Sequence, residues 1–409
     1  MWKNRSFQKF YLFNLLSYFG SGMTMVALPL YVYKLTESPM YTSLVAVFTG
    51  LPYFLFGLFA GAMADRGNRK LIMIGCSLFS GLLLATIPAA AMMGQVSVFH
   101  LLAVGLLVST AFVWFDAASH NMLFQLIGRE RLVAANSLLS STDTIIRIGS
   151  PVIAGYIIYQ FGPQWAIGID ALCYCVAALL IFSLTGSYRS EPSVTNQSLL
   201  RRLAGDIKEG LGFIWSEPLV RSLTVLGFGN SFIGGAVTGL IVVFGVQVLG
   251  IAKSAPAMSL LFTCGSLGAL AASLILPQLR KRFKPGRITI AGLVINAASL
   301  AGVAFGGSLA IVCAFYILWN LANFLVIVNG ITLRQQLTPD HLQGRVHASG
   351  RMIAWGGYPF GSLLGGIAAT AFGVQAVYIV FALLMALLFV LARLTPLYRY
   401  ELELPGRHD

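Results

Sequence analysis

Residues 41–93 read YTSLVAVFTGLPYFLFGLFAGAMADRGNRKLIMIGCSLFSGLLLATIPAAAMM. The two flanking runs, 41–64 and 71–93, contain no charged side chain, whereas the six residues between them include Asp65, Arg66, Arg69 and Lys70. An α-helix rises ~1.5 Å per residue and needs about 20 apolar residues to cross the hydrocarbon core of a bilayer. Each run is long enough, and the charged segment between them has room only for a tight turn. The stretch therefore reads as a helical hairpin that crosses a membrane and returns.

The same pattern extends in both directions. Twelve spans are predicted: 10–34, 41–64, 71–93, 98–126, 134–160, 164–186, 220–249, 257–279, 288–306, 308–334, 345–372 and 374–396. Of the 409 residues, 57% are hydrophobic and 10% charged, against about 25% charged in soluble domains. A soluble enzyme is excluded, as are disordered and collagen-like chains; the fold class is an all-α polytopic membrane protein. The first apolar run continues to Tyr33 and is read as a retained span rather than a cleaved signal peptide. Cys76, Cys173, Cys175, Cys264 and Cys313 all lie inside apolar runs, an odd number in spanning segments that is not a disulfide framework.

The net charge of +13 is explained by topology rather than by nucleic acid. If the spans alternate, 23 Lys and Arg residues fall on one side and only Lys34 and Lys253 on the other, with Arg147 and Arg351 left inside spans. The positive-inside rule then places both termini in the cytoplasm of a cell whose inner or plasma membrane holds the chain. The charges also divide the chain into a six-span bundle over 1–186, a cytoplasmic linker over 187–219, and a second bundle with a short tail over 220–409. Within the linker, Leu199, Leu203, Ile207, Leu211 and Ile214 recur at helical spacing, with Arg201, Arg202, Asp206, Lys208 and Glu209 on other faces. That is an amphipathic helix, read as a tether between the bundles.

The halves repeat. Ile148-Gly149-Ser150-Pro151 precedes an Ala/Gly-rich run ending at Phe161-Gly162, and Gly356-Gly357-Tyr358-Pro359 precedes a similar run ending at Phe372-Gly373. The prolines are 208 residues apart and the Phe-Gly pairs 211 apart. Spans five and eleven therefore occupy equivalent places in two six-helix halves, a duplication that implies a substrate site where the halves meet.

The loop after span two, with Gly61, Asp65, Arg66, Asn68, Arg69 and Lys70, resembles the signature between helices two and three of the major facilitator superfamily, with Asn68 where a glycine is usual. Gly61 is expected to let a neighbouring helix come close, and Asp65 to accept from a helix N-terminus. A narrower resemblance rests on Phe115-Asp116-Ala-Ala-Ser-His120, Glu130-Arg131-Leu-Val-Ala-Ala-Asn136, Ile169-Asp170-Ala171-Leu172, Asp206-Ile-Lys-Glu-Gly210 and Glu217-Pro218. These are similar to the branch that holds enterobactin-type siderophore exporters and macrolide or multidrug efflux proteins. The resemblance implies two pseudo-symmetric six-helix bundles, alternating access, and a cytoplasmic latch made of Gly61, Asp65, Arg66, Arg69 and Lys70. It pairs Asp116 with Arg69 or Lys70. Where many relatives carry an acid in span one, this chain has Gly20-Ser21-Gly22, so a coupling acid must be sought elsewhere.

Charges inside spans are costly and require a reason. Asp143 and Arg147 are four residues apart, acid first, the favourable order for pairing. Counting back from the repeated proline, Asp143 matches Arg351 in span eleven. Asp143, Arg147 and Arg351 are the coupling candidates, and any titrating acid belongs to the first half, because spans seven to twelve contain no Asp or Glu. Asp170 is assigned a helix-cap or structural role near the outer end of span six. Pro151 among small residues resembles a degraded antiporter motif and favours exchange or export.

By resemblance, helices one, four, seven and ten line the cavity. Their middle sections offer Met23, Met25, Trp114, Phe228, Asn230, Phe232, Tyr316, Trp319, Asn320 and Asn323. Apolar surface with a few amides suits a hydrophobic or amphipathic small molecule. No hydrolase, metalloprotease or phosphate-loop motif is present, and His100, His120, His341 and His347 lack metal-ligand spacing. The sequence thus predicts a transporter and not an enzyme, needing no cofactor and no metal. Its partners are a small-molecule substrate, protons and the lipid bilayer, with no nucleic acid, and the chain is expected to act as a monomer. A lysophospholipid flippase of the same fold is the alternative; a non-transporting receptor or scaffold fits the short outer loops less well.

Overall fold

A computed structural model describes residues 4–64, 67–128, 131–184, 199–251 and 256–398. Asp65 and Arg66 of the proposed latch lie outside these residues. Among those described, the regular elements are all helical. The first six are α1 (Arg5–Thr36), α2 (Pro39–Ala64), α3 (Arg69–Met92), α4 (Val98–Ile127), α5 (Leu132–Phe161) and α6 (Pro163–Phe182). Then come α7 (Leu199–Ser216), α8 (Pro218–Gln247), α9 (Pro256–Arg282), α10 (Pro285–Phe305), α11 (Leu309–Leu337), α12 (Gln343–Phe372) and α13 (Val374–Leu394). The protein is an all-α polytopic membrane protein with twelve spanning helices, and α7 is the thirteenth, amphipathic one.

Ten of the described helices are apolar and long enough to cross a membrane on composition alone. The two spanning helices outside that set are α5 and α12. Both are 30 residues long, but Gly, Ser, Pro and the charges Asp143, Arg147, Arg345 and Arg351 dilute their apolar character. They are the equivalent fifth helices of the two repeats, so each half reserves its least apolar span for the same place. Elsewhere large apolar side chains such as Leu82, Leu172 and Leu383 are more than 60% exposed, a surface that only lipid can cover.

Local chemistry sets the boundaries. Pro163, Pro218 and Pro285 open α6, α8 and α10, where the missing N–H has no intrahelical partner to lose. The repeated Phe-Gly pairs end α5 and α12, and Gly162 (φ 96°) and Gly373 (φ 83°) serve at once as C-cap of one helix and N-cap of the next. A side chain would be strained at that backbone angle, which gives both copies of the repeat the same reason for glycine. The Asn68 that departs from the loop signature has a role of its own: its side chain accepts from Leu71 N and caps α3.

The chain divides into two compact units, Met1–Leu199 with Ile251–Thr263, and Leu200–Gly250 with Cys264–Asp409. Within the first, α1 packs on α5 and α6, and α3 on α4 and α6; within the second, α8 packs on α12 and α13, and α10 on α11 and α13. One pairing scheme is used twice. Inside a membrane, packing rather than water exclusion holds helices together, and small residues permit the closest contacts. A Cβ added to Gly361 of α12 would lie 1.7 Å from the Phe232 carbonyl oxygen of α8, and one on Gly357 would lie 2.4 Å from that of Phe228. The equivalent α1–α5 contact is looser, with Gly22 facing the Ser150 hydroxyl.

Arg334 requires a correction. The sequence reading ends span ten there and counts the residue among the loop bases. Instead α11 runs on to Leu337 and Arg334 is only 5% exposed. The extra turn carries the guanidinium inside the helix packing.

Candidate transport site

The first unit concentrates acids. In α5, Arg147 Nε donates to both carboxylate oxygens of Asp143, each at 2.9 Å. In α4, Asp116 accepts from the Tyr53 hydroxyl of α2 at 2.5 Å, a partner that sequence reasoning did not name. Of the two bases assigned to Asp116 by resemblance, Lys70 is turned elsewhere: its Nζ donates to the Leu184 carbonyl at 2.6 Å and lies over the Phe182 ring. The close-packing role of Gly61 also changes. A Cβ there would meet nothing within 4 Å among the described residues. Around it α2 meets α4 through bulky pairs, Phe56 on Trp114 at 5.4 Å and Tyr53 on Phe112 at 6.3 Å.

Asp170 is not a cap. Gly162 caps α6, and Asp170 lies two turns further in, 1% exposed. One of its oxygens accepts from the Thr24 hydroxyl of α1 at 2.5 Å, and the other has no partner among the described residues. Gly20 is what lets this carboxylate reach α1, since a Cβ there would fall 2.3 Å from Asp170 Oδ1. An acid of α6 thus lies against α1 at Gly20, in a span whose own residues there are Gly20-Ser21-Gly22. Sequence reasoning missed this because the two residues are 146 apart.

The second unit holds a cavity of about 190 Å³ bounded by α8, α10, α11 and α12. Its walls are largely aliphatic, with Leu223, Leu226, Val326, Ile327 and Ile331. Asn230 and Asn323 line it and belong to a ladder of three amides. Asn296 Nδ2 donates to Asn230 Oδ1 at 3.4 Å, and Asn230 Nδ2 donates to Asn323 Oδ1 at 2.7 Å. Asn296 belongs to α10, a helix not assigned to the lining, so its amide was overlooked.

The other lining candidates are scattered. Asn230 and Asn323 line the cavity. Asn320 Nδ2 is bonded to the Tyr316 carbonyl. Tyr316 and Trp319 stack at 5.6 Å and are almost fully buried, as is Met23. Phe232 stacks between Phe228 and Phe381. Trp114 Nε1 donates to the Met63 sulfur at 3.3 Å, and Met25 is exposed. In their place the cavity uses Arg334, Arg351, Trp355 and Tyr358.

Residues 2–405 match the family described as transmembrane secretion effector. The chain belongs to that family. The family is a branch of the major facilitator superfamily, whose members are transporters and not enzymes. The chain is 27% identical over 408 residues to the multidrug efflux pump Tap of Mycolicibacterium fortuitum, covering 95% of each protein. It is 25% identical to the enterobactin exporter EntS of Citrobacter koseri, over 89% of this chain and 85% of the relative. In fold it is similar to an inward-facing bacterial homologue of the human lysosomal transporter Spinster (TM-score 0.77, 13% identity, 97% and 98% coverage). It is also similar to the nucleoside transporter NupG (TM-score 0.76, 14% identity, 95% and 99% coverage). The expectation of a membrane-embedded transporter of a small molecule therefore holds.

Proposed function

We propose that this protein exports a hydrophobic or amphipathic small molecule, of drug, macrolide or siderophore type, in exchange for protons and by alternating access. The observation that carries the reading is the largely aliphatic cavity lined by the hydrogen-bonded pair Asn230 and Asn323. Such walls bind by apolar contact and leave a few polar groups to orient the ligand. The names of the relatives Tap and EntS, an efflux pump and an exporter, supply the direction.

Proton coupling is assigned to the acids within the helices of the first unit, with Asp143 and Arg147 there and Arg351 of the second unit as coupling residues. Gly61, Asp65, Arg66, Arg69, Lys70 and Asp116 form the latch that favours one conformation, and protonation of an acid shifts that balance. The bundles 1–186 and 220–409 with their linker 187–219 work as one monomer in the inner or plasma membrane, both termini cytoplasmic.

The test is uptake of erythromycin or ethidium by proteoliposomes with an imposed pH gradient. Accumulation should follow the gradient and collapse with a protonophore, and Asp143→Asn should lower gradient-driven flux about tenfold, the scale of one lost charge-assisted bond. Flux indifferent to the gradient in the wild type, or full flux in both Asp143→Asn and Asp65→Asn, defeats the coupling scheme.

A further inference from the structure

Arg334 is a buried cation that the transport reading leaves unused. It is 5% exposed, and its Nε has no hydrogen-bond partner among the described residues. No acid is available to it from its own set of spanning helices: α8 to α13 contain no Asp or Glu. An unpaired charge withdrawn from water is expensive, and natural proteins pair such charges. The guanidinium lies over Gly350 of α12, where a Cβ would fall 2.7 Å from Nη1, so the neighbouring helix leaves it room.

The side chain lines the cavity described above, and so does a second cation, Arg351. No acid is among the described residues that line it. The amide ladder has a direction that adds to this charge. Asn296 donates to Asn230 and Asn230 to Asn323, so the ladder does not consume the Nδ2 donor of Asn323, a cavity-lining residue, while Asn296 Oδ1 has no partner among the described residues. Asn323 and Arg334 sit on one helix, about 16 Å apart along its axis, so an amide and a guanidinium line the same compartment at different heights. Its other walls are largely apolar, with Ser231, Thr238, Thr289 and Tyr358 among them.

We propose that this cavity is the seat of an oxyanion, a carboxylate or phosphate group, carried on an apolar body, with Arg334 as the residue that binds it. The inference rests on the export reading and names the substrate class: anionic amphiphiles. A guanidinium presents two parallel N–H donors matched to the two oxygens of such a group. The volume of about 190 Å³ is below the roughly 300–1,000 Å³ of sites that enclose drug-sized ligands. It therefore holds the head of the molecule and its first carbons, with the tail extending along the aliphatic wall.

The probes are dodecyl phosphate and dodecyltrimethylammonium, which share a tail and differ in head charge. They are titrated at equilibrium, with no pH gradient, against the full chain in phosphatidylcholine nanodiscs, and read by tryptophan fluorescence, because Trp355 lines the cavity. The wild type should bind the phosphate about tenfold more tightly than the ammonium compound. Arg334→Gln should weaken phosphate binding about tenfold while leaving ammonium binding unchanged, and Arg334→Lys should recover part of the loss. Arg351→Gln, at an exposed position, is the second variant should Arg334→Gln fail to fold, and should weaken phosphate binding severalfold. Repeating the titration with phosphatidylglycerol in the nanodiscs separates two sources of the anion. Weakened binding supports a lipid headgroup as occupant, and unchanged binding supports a free amphiphile. Equal affinity for the two head charges in the wild type, or unchanged phosphate binding in the folded variants, overturns the proposal. A wild type that binds dodecyl phosphate selectively yet shows no gradient-driven flux removes the export reading and leaves the oxyanion seat standing.

Discussion

The two units share one pairing scheme and differ in the sign of what they hide. The first carries Asp116, Asp143 and Asp170 within its helices, with Asp170 buried against α1. The second has no acid in its six spanning helices and holds Arg334 and Arg351 instead. Glycines make room for both kinds of group, Gly20 for the Asp170 carboxylate and Gly350 for the Arg334 guanidinium. The two copies thus pair alike while differing in the charges placed within their helices.

The comparison can be broken at the packing level, where the largest effects lie. Gly361→Ala places a Cβ against the backbone of α8, which cannot move without separating the two helices. A loss of about 3 kcal/mol is expected, read as a fall in the thermal unfolding midpoint of the purified protein. Gly22→Ala at the equivalent α1–α5 contact meets the Ser150 side chain, its hydroxyl at 2.0 Å and its Cβ at 2.8 Å; the hydroxyl can rotate away but the Cβ must shift, so a smaller loss of about 2 kcal/mol is expected there. Equal losses at the two positions would show that the close approach of α8 and α12 has no special role.

The hidden acid is the next test. Asp170→Leu strands the Thr24 hydroxyl and should cost about 2 kcal/mol, whereas Asp170→Asn keeps an acceptor in place and should cost less. If the two variants unfold at the same temperature, the Thr24–Asp170 bond contributes nothing.

Smaller effects sharpen the comparison at the helix starts. Asn68 caps α3, but Lys284, its counterpart before α10, makes no capping bond. Asn68→Ala should lose about 1 kcal/mol, with recovery in Asn68→Asp. A neutral Asn68→Ala would leave the departure from the loop signature without a physical account.

The smallest effect is expected at the linker. Arg345 of α12 pairs with Asp206 at 2.8 Å and with Glu209, both on α7. All three side chains are about a third to a half exposed, so solvent screens them and each pair should contribute only about 0.5 kcal/mol. A double-mutant cycle of Arg345→Gln with Glu209→Gln measures it, and a coupling above about 2 kcal/mol would make α7 a structural clamp rather than a tether.

The amphipathic spacing of Leu199, Leu203, Ile207, Leu211 and Ile214 is enough to place α7, and Ile214 is indeed buried against Val220, Leu342 and Val346. That Asp206 and Glu209 would reach Arg345 could not be read, because the partner is 136 residues from Glu209. The pairing of Asp143 with Arg147 is legible for the opposite reason: both residues ride on one helix, and a spacing of four residues fixes their relative position. Arg334 illustrates how a local reading misleads. Near the end of an apolar run it resembles any loop base, and only the neighbours of α11 make it a buried cation.

The amino-acid sequence alone determined the crossings, their order and the duplication, because hydropathy, proline and glycine act through nearest neighbours along the chain. Tertiary structure decided which polar groups meet. Asn230 finds Asn323 across 93 residues and Asn296 across 66, and Thr24 finds Asp170 across 146. Those meetings depend on how far each helix is rotated about its axis, a quantity that apolar spans hydrophobic on every side do not encode.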